Sequence, residues 1–341
     1  MKDGYRVAGA VSLVVVIFLL VQLGALALVK PFAGAGFQQT ENPQDPANSL
    51  LYLALILVMT GALLAAFKYG LDRLIRGLLV FVSGLISLYV FSVFVAPLVA
   101  VGLAAVVALA LLVYPEWYVI DGAGVIMGAG AAGLFGISFG ILPAILLLSV
   151  LAVYDAISVY GTEHMLDLAE GVMDLKVPVV LVVPTSLSYS FLEDGSTPDD
   201  MRDEDRADGR QDDAPADEGE DDPVARTGDD TDLAEGTPVE RGALFVGLGD
   251  AVMPAIVVAS AAYFLSANGG SIATLDVPWV LINLPALTAM MGTIAGLLVL
   301  MYLVLKGRPH AGLPLLNGGA ILGYLIGALA SGLPFVTAIG L

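Results

Sequence analysis

The sequence predicts an all-α membrane protein that crosses the bilayer several times, and two observations support this fold class. Of the 341 residues, 58% are apolar and only 14% are charged, and the mean hydropathy is +0.88. The apolar residues are gathered in segments of about 20 residues, which is the length of helix that crosses a bilayer. Soluble domains have neither property, so a soluble globular fold is excluded.

Nine apolar segments are predicted to be transmembrane helices. We assign the first to a retained helix, because it is too long for a signal peptide and has no clear cleavage site. The third and fourth are divided at Pro97, and the fifth and sixth between Ser138 and Gly140, so these two divisions decide the count. The predicted spans cover residues 6–29, 49–67, 76–95, 97–114, 118–138, 139–162, 242–265, 279–305 and 312–331.

Lysine and arginine predict the orientation, because they concentrate in short cytoplasmic loops. With nine spans, the two termini lie on opposite sides of the membrane. A cytoplasmic N-terminus and an external C-terminus place 13 of the 14 cationic residues inside and only Lys30 outside. Trp117, Tyr118 and Trp279 then lie at span ends, where aromatic residues commonly meet the bilayer interface.

One polar segment carries most of the net charge. Residues 193–240 contain 20 acidic residues and four arginines, which contribute −16 to the total of −19. The segment has too few apolar residues to offset its ordering entropy, so we expect a disordered spacer, with a specific acidic binding segment as the alternative. The predicted organisation is helices 1–6 in residues 1–162, a cytoplasmic loop in 163–241, and helices 7–9 in 242–341.

The residue types exclude several kinds of chemistry. There is no cysteine, which excludes disulfides, iron–sulfur clusters and thiol catalysis. The two histidines, His164 and His310, are far apart and lack the spacing of metal ligands. We therefore expect neither a metal site nor any cofactor beyond water.

Two carboxylates are predicted to lie inside spans at the same depth. Asp155, in "LAVYDAISVY", is about seven residues from the cytoplasmic end of the sixth span, and Asp250, in "FVGLGDAVMP", is about eight from that of the seventh. At 1.5 Å per residue, both lie roughly 10–12 Å below the cytoplasmic surface. A charge at this depth costs several kcal/mol unless it has a function or a partner. On consecutive spans, the two carboxylates can face each other. Asp121, at the cytoplasmic end of the fifth span, is expected at the membrane interface, with a third catalytic acid as the alternative.

Two neighbouring carboxyl groups cannot both ionise, so they share a proton. The ionised group can take a proton from water, while the protonated group polarises a carbonyl and then protonates the leaving amine. This is the chemistry of an aspartic protease dyad. The alternative is an ion-coupled transporter or cation leak, in which buried aspartates bind protons or cations. The paired repeats of many transporters are not found in this sequence.

The two glycines before Asp250 are consistent with peptide cleavage. In Gly247-Leu248-Gly249-Asp250, the missing side chains allow another backbone to approach the acid closely. The alternative explanation is that the glycines only allow tight helix packing.

These residues resemble the motifs of the presenilin and signal peptide peptidase family of intramembrane aspartyl proteases, and its archaeal homologues most of all. The family pattern is Tyr-Asp on the sixth of nine spans and Gly-x-Gly-Asp on the seventh. Tyr154 and Asp155 match the first motif, and residues 247–250 match the second. The resemblance implies that Asp155 and Asp250 are the catalytic pair and that Tyr154 orients Asp155. It also implies hydrolysis of peptide bonds within transmembrane helices of substrate proteins.

The third family motif, Pro-Ala-Leu at the start of the ninth span, requires a choice between two sites. Residues 285–287 read Pro-Ala-Leu, but the predicted topology places them in the outer part of the eighth span, away from both aspartates. We therefore assign the motif to Pro314, Leu315 and Leu316, which begin the ninth span on the cytoplasmic side with leucine in place of alanine. A proline there leaves backbone groups free to hydrogen-bond near the dyad. An ordinary helix start with proline in its first turn is the alternative.

Two short segments on the cytoplasmic side are predicted strands. Residues 176–192 are apolar and β-branched but contain two prolines, and residues 242–247 form a second strand-like edge. The resemblance implies that such an edge pairs with an unwound substrate by strand addition, with simple surface packing as the alternative.

The implied partners are transmembrane helical substrates and the lipid bilayer of the cell membrane. Nucleic acid is not expected as a partner, and assembly into a homo-oligomer is left open. Prepilin peptidases also use Gly-x-Gly-Asp, but they have fewer spans and a differently placed first aspartate.

Overall fold

A computed structural model describes residues 2–161, 180–185, 189–190, 243–267, 272–277, 279–306 and 311–341. This part of the chain is mostly helical and contains two short antiparallel strand pairs. The elements are α1 (Lys2–Gly34), α2 (Ala47–Lys68), α3 (Asp72–Ser92), α4 (Pro97–Val113), α5 (Trp117–Ser138), α6 (Ile141–Gly161), β1 (Val180–Pro184), β2 (Ala243–Gly247), α7 (Leu248–Ala267), β3 (Thr274–Val277), β4 (Val280–Asn283), α8 (Leu284–Val304), α9 (Gly312–Ala330) and α10 (Phe335–Ala338).

Eight of the described helices are long and apolar enough to cross a membrane, namely α1 to α3 and α5 to α9. The apolar helix α4 is shorter, with 17 residues. The prediction of a multi-pass, all-α membrane fold is therefore confirmed. The count of nine spans, which needs α4 to cross as well, and the orientation of the termini stay predictions.

The helix directions bear on the role of α4. Gly24 of α1 lies against Ala129 of α5, and Gly133, four residues further along α5, lies against Leu28. These matching offsets make α1 and α5 parallel, as the nine-span prediction requires of its first and fifth helices. If α2 and α3 each cross the membrane once, a return crossing by α4 gives this arrangement, so the parallel pair is consistent with the predicted nine spans.

Helix α7 lies at the centre of the bundle. It packs against α1, α5, α6, α8 and α9, and most of its apolar side chains are buried. Gly136 explains how closely α5 approaches, because a Cβ at that position would lie 2.3 Å from the Cβ of Ala259. The high glycine content of α5 thus serves close helix packing, which small residues allow in membranes.

Two predicted spans prove to be composite. The predicted seventh span, 242–265, begins with strand β2, and its helix starts only at Leu248. The predicted eighth span, 279–305, begins with β4, and its helix starts at Leu284. Short apolar runs rich in β-branched residues suit a strand or a helix equally well, and the backbone partner decides. As a consequence, Asp250 lies in the first turn of α7 and not two turns inside a helix.

Strands β1 and β2 pair in antiparallel register, with Val182 opposite Phe245 and Val180 opposite Gly247. Both predicted strand segments on the cytoplasmic side are therefore observed within the described residues. The acidic segment 193–240, His164 and His310 lie outside the described residues, so the predictions about them stay predictions.

Candidate active site

Asp155 lies near the C-terminal end of α6 and faces the start of α9. Its side chain is 5% exposed, and its Oδ2 accepts a hydrogen bond of 3.0 Å from the backbone N–H of Leu313. The first N–H groups of a helix have no partner within the helix, and the helix dipole there favours a negative charge. The N-terminus of α9 is therefore well suited to hold a carboxylate.

Asp250 reaches the same turn of α9 from the other side. The residue is half-buried, and its Oδ2 would lie 3.4 Å from a Cβ at Gly312. Within the described part of the chain, Asp250 accepts no hydrogen bond. One carboxyl group contacts Leu313 and the other approaches Gly312, so both lie beside the same turn of α9. The structure thus brings together the two aspartates that the sequence predicts to face each other.

The three residues before Asp250 have two different roles. The two glycines leave space beside its carboxyl group, and Leu248 packs against the bundle. A Cβ at Gly247 would lie 3.5 Å from Asp250 Oδ2, whereas one at Gly249 would meet nothing within 4 Å. Leu248, between them, is buried and lies against Gly128 of α5. The glycines therefore keep the surroundings of the carboxyl open, while Leu248 holds the turn to the bundle.

Pro314, Leu315 and Leu316 follow directly after the turn that contacts both aspartates. Pro314 is the third residue of α9, where its missing N–H breaks no helical hydrogen bond. Leu316 is fully buried, and the carbonyl of Leu315 lies against Gly296 of α8. The position chosen for the third motif is thus adjacent to the two carboxyl groups.

The literal Pro-Ala-Leu, residues 285–287, lies at the opposite end of α7. The N–H of Ala286 donates to the Asn283 side chain, whose amide donates to the carbonyl of Ala261. Ala261 is 11 residues beyond Asp250, which corresponds to roughly 16 Å along a helix. The geometry therefore agrees with rejecting this site.

Tyr154 differs from Asp155 in its exposure. Its side chain is 46% exposed, and among the described residues it donates no hydrogen bond to Asp155. Its predicted orienting role stays a prediction.

Three parts of the site are missing from the sequence-based prediction. Two belong to the start of α9, namely the N–H of Leu313 and Gly312, which has no side chain. In the sequence, only their position just before Pro314 indicates them. The third is Asp121, which we expected at the membrane interface. It is 6% exposed and accepts a hydrogen bond from the N–H of Val182 in β1, so it belongs to the protein interior.

Among the described residues, no group of three or more histidine, cysteine, aspartate or glutamate side chains is arranged to hold a metal ion. What the site offers chemically is a pair of carboxyl groups, a helix N-terminus and open space beside a strand. A carboxyl pair of this kind, carried by two membrane helices, is the catalytic arrangement of an intramembrane aspartyl protease.

Comparison with known proteins leads to the same class. Residues 15–333 match the family described as signal-peptide peptidase, presenilin aspartyl protease. The chain therefore belongs to the presenilin and signal peptide peptidase family and is an intramembrane aspartyl protease. The transporter alternative has no support from these matches.

Two solved structures of a presenilin family intramembrane aspartate protease are similar to this chain. The one in space group C222 is 32% identical, with a TM-score of 0.60, and the match covers 94% of this chain and 99% of that one. The one in space group P2 is also 32% identical, with a TM-score of 0.58 and coverage of 93% and 96%. No curated protein matches the chain.

Proposed function

We propose that this protease is of the Gly-x-Gly-Asp type, with Asp155 and Asp250 as its catalytic pair, and that it cuts peptide bonds within transmembrane helices of other proteins. The observation that carries this proposal is the meeting of the two carboxyl groups at Gly312 and Leu313. The shared contact turn supports the proposal, because two carboxyl groups beside the same turn of α9 can act on one scissile peptide bond and one water molecule.

The proposed reaction has two steps. The ionised carboxyl takes a proton from water, whose oxygen forms a bond to the scissile carbonyl carbon while the protonated carboxyl donates to the carbonyl oxygen. The tetrahedral intermediate then collapses. One carboxyl group protonates the nitrogen, the other accepts a proton from a hydroxyl of the intermediate, and the carbon–nitrogen bond breaks. The N–H of Leu313 holds Oδ2 of Asp155, which leaves its Oδ1 for proton transfer.

A substrate helix must unwind before its peptide bonds can reach the carboxyl groups. We propose that the unwound segment pairs with the side of β2 that faces away from β1, because β2 runs directly into Gly247 and the turn that carries Asp250. Open space beside Gly249 supports this path. Backbone hydrogen bonds in strand addition are independent of sequence, so the path suits many substrate helices.

The proposed setting is the cell membrane, with the dyad near the cytoplasmic face and the C-terminus outside. The distribution of lysine and arginine supports this orientation. The proposed partners are the bilayer itself and proteins that contribute single transmembrane helices as substrates.

The direct test is incubation of the purified protein with a single-span helical substrate, followed by mass spectrometry of the products. Wild type should release two fragments cut within the span, and Asp155→Ala and Asp250→Ala should release none. Hydroxyl-containing transition-state mimics should bind the wild type and neither variant. If no substrate helix is cut, and liposomes containing the protein show an aspartate-dependent cation flux, the hypothesis of an ion-coupled transporter replaces this proposal.

Disulfide formation tests the geometry independently of activity. The chain has no cysteine, so Asp155→Cys combined with Asp250→Cys introduces its only two thiols. A facing pair should be linked by oxidation or by a mercuric ion, since disulfides tolerate Cα separations of roughly 4.4–6.8 Å. A cut in the acidic loop beside Arg210 makes linkage visible on a denaturing gel. The control, Asp155→Cys with Ala286→Cys, should never link.

A further inference from the structure

Asp121 is an ionisable side chain inside a membrane helix that the proposed reaction does not use. It lies in the second turn of α5 and is 6% exposed. Its Oδ1 accepts a hydrogen bond of 2.8 Å from the N–H of Val182, and its Oδ2 has no hydrogen-bond partner in the described part of the chain. Burying a half-satisfied carboxyl group is unfavourable, and ionisable residues at such positions usually have a function.

The hydrogen bond from Val182 determines which edge of the small sheet is closed. In an antiparallel strand, the N–H and C=O of one residue point to the same edge, and successive residues alternate. Because the N–H of Val182 points to α5, the ladder bonds to β2 must come from Leu181 and Val183. Pro184 faces the same edge as Val182 and has no N–H to donate. Asp121 thus accepts a hydrogen bond from a backbone N–H on the edge of β1 that faces α5.

This contact ties the sheet to the rigid part of the bundle. Val182 is opposite Phe245 in β2, and Asp250 follows five residues later on the same strand–helix connection. Helix α5 is itself fixed against α7, where Gly136 contacts Ala259. The hydrogen bond therefore links α5, β1 and β2 to the turn that carries one catalytic carboxyl group.

A second contact joins α5 to the same segment. The hydroxyl of Ser190 donates to Oε1 of Glu116 at 2.6 Å, just before the first residue of α5. Ser190 lies beyond the end of β1 and outside the paired register. Of these two contacts, only the one made by Asp121 involves a residue paired in the β1–β2 sheet. The Ser190 contact can therefore serve as a control.

We propose that Asp121 is a positioning residue that holds the β1–β2 sheet in one register relative to the dyad and so determines which peptide bond is cut. This inference rests on the proposed function. If substrate pairs with β2, the distance from β2 to Asp155 on α6 decides which bond lies between the carboxyl groups. A sheet released from Asp121 can shift, and shifts by two residues keep the same side chains on each face.

The test compares Asp121→Leu with Asp121→Asn on a single-span helical substrate, with Ser190→Ala as the matched control. Asparagine keeps an acceptor oxygen for Val182, whereas leucine fills the volume without one. For Asp121→Leu we expect kcat/KM to fall by about tenfold, the order of one hydrogen bond to a carboxyl group, and products displaced by two residues to appear. Asp121→Asn and Ser190→Ala should keep the wild-type cut position.

Thermal melting and amide exchange distinguish this role from a merely structural one. Asp121→Leu removes a half-satisfied buried carboxyl group but leaves the N–H of Val182 unpaired. These two effects oppose each other, so its melting temperature should change little, while amide exchange in residues 180–185 increases. An unchanged product pattern in a folded Asp121→Leu variant overturns the inference and leaves the proposed function standing. So does a wild-type exchange rate in that segment. Absence of cleavage by the wild type itself overturns the proposed function instead.

Discussion

The two ends of helix α7 share one local design and differ in how their polar groups are bonded. Near each end a short strand runs directly into a helix, β2 into α7 and β4 into α8. At the β4 end, the Asn283 side chain accepts from the N–H of Ala286 and donates to the carbonyl of Ala261 and the hydroxyl of Ser266. At the β2 end, Asp250 accepts no hydrogen bond from any described residue.

This difference separates a structural site from a reactive one. Buried polar groups in folded proteins are almost always bonded, so a group with unused capacity needs an explanation. Asn283 uses its amide to join α7 to the start of α8, and the Pro-Ala-Leu after it serves as a helix start. The carboxyl groups of Asp155 and Asp250 retain capacity for water and a peptide. Residues 285–287 match the family tripeptide more closely than Pro314, Leu315 and Leu316 do, yet the two aspartates lie beside the latter.

The largest expected effect is the loss of either carboxyl group. Asp155→Ala and Asp250→Ala should each reduce cleavage by about 10³-fold or more, because members of a catalytic pair act as a unit. Neither variant should melt at a much lower temperature than the wild type, since each removes an acid that lies wholly or partly away from water. Cleavage assays on purified protein and thermal melts followed by circular dichroism measure both quantities. Substantial turnover by one variant would exclude that residue from the pair.

The next effect concerns two glycines of α9. Gly312 lies beside Asp250, and Gly323 lies against Thr288 near the start of α8. At Gly312, a Cβ would lie 3.4 Å from both Asp250 Oδ2 and Leu300 Cδ2, so Gly312→Val pushes its methyl groups into the space between the carboxyl groups. We expect cleavage to fall by about 10- to 100-fold, the order of a small misplacement of catalytic groups. The melting temperature should change little.

The matched control for this variant is Gly323→Val. A Cβ there would lie 2.2 Å from the carbonyl oxygen of Thr288, so α8 and α9 must separate. We expect a lower melting temperature and an unchanged kcat for the molecules that remain folded. The reverse pattern, with Gly312→Val melting early and Gly323→Val inactive while folded, contradicts the assignment of the two ends.

A moderate effect is expected at Asn283. Asn283→Ala leaves the carbonyl of Ala261, the hydroxyl of Ser266 and the N–H of Ala286 without this partner, which should lower the free energy of unfolding by roughly 2 kcal/mol. Cleavage per folded molecule should stay at the wild-type level, as a melting curve and an active-site titration can show. Loss of activity without loss of stability would mean that the outer end also takes part in the reaction.

The smallest effect is expected from exchanging the central residues of the two proline tripeptides. Leu315→Ala restores the family motif beside the dyad and should change cleavage by no more than about threefold, because the Leu315 side chain is only partly buried. Ala286→Leu inserts extra carbons at a fully buried position, which should lower stability by about 1–3 kcal/mol through overpacking. Parallel melts and cleavage assays separate the two outcomes, and a strong catalytic effect of Ala286→Leu would contradict the comparison.

Much of the fold follows from the sequence alone. Span length and the unfavourable burial of charge are properties of a local stretch of chain. The apolar segments and the two aspartates within them can therefore be identified from the sequence. Helix bounds agree closely with prediction from α2 to α6 and at α9. Asp155 and Asp250 were predicted to face each other because equal depth on consecutive spans follows from counting residues.

Tertiary structure alone decided the features that depend on pairing between distant segments. Residues 243–247 and 280–283 form strands because a backbone partner is available, although their apolar sequences would also suit the helices that follow. The N–H of Leu313 is a backbone group and carries no residue-specific signal, so its bond to Asp155 cannot be predicted from residue types. The environment of Asp121 changed from interface to interior for the same reason, since its partner in β1 is separated from it by the whole of α6.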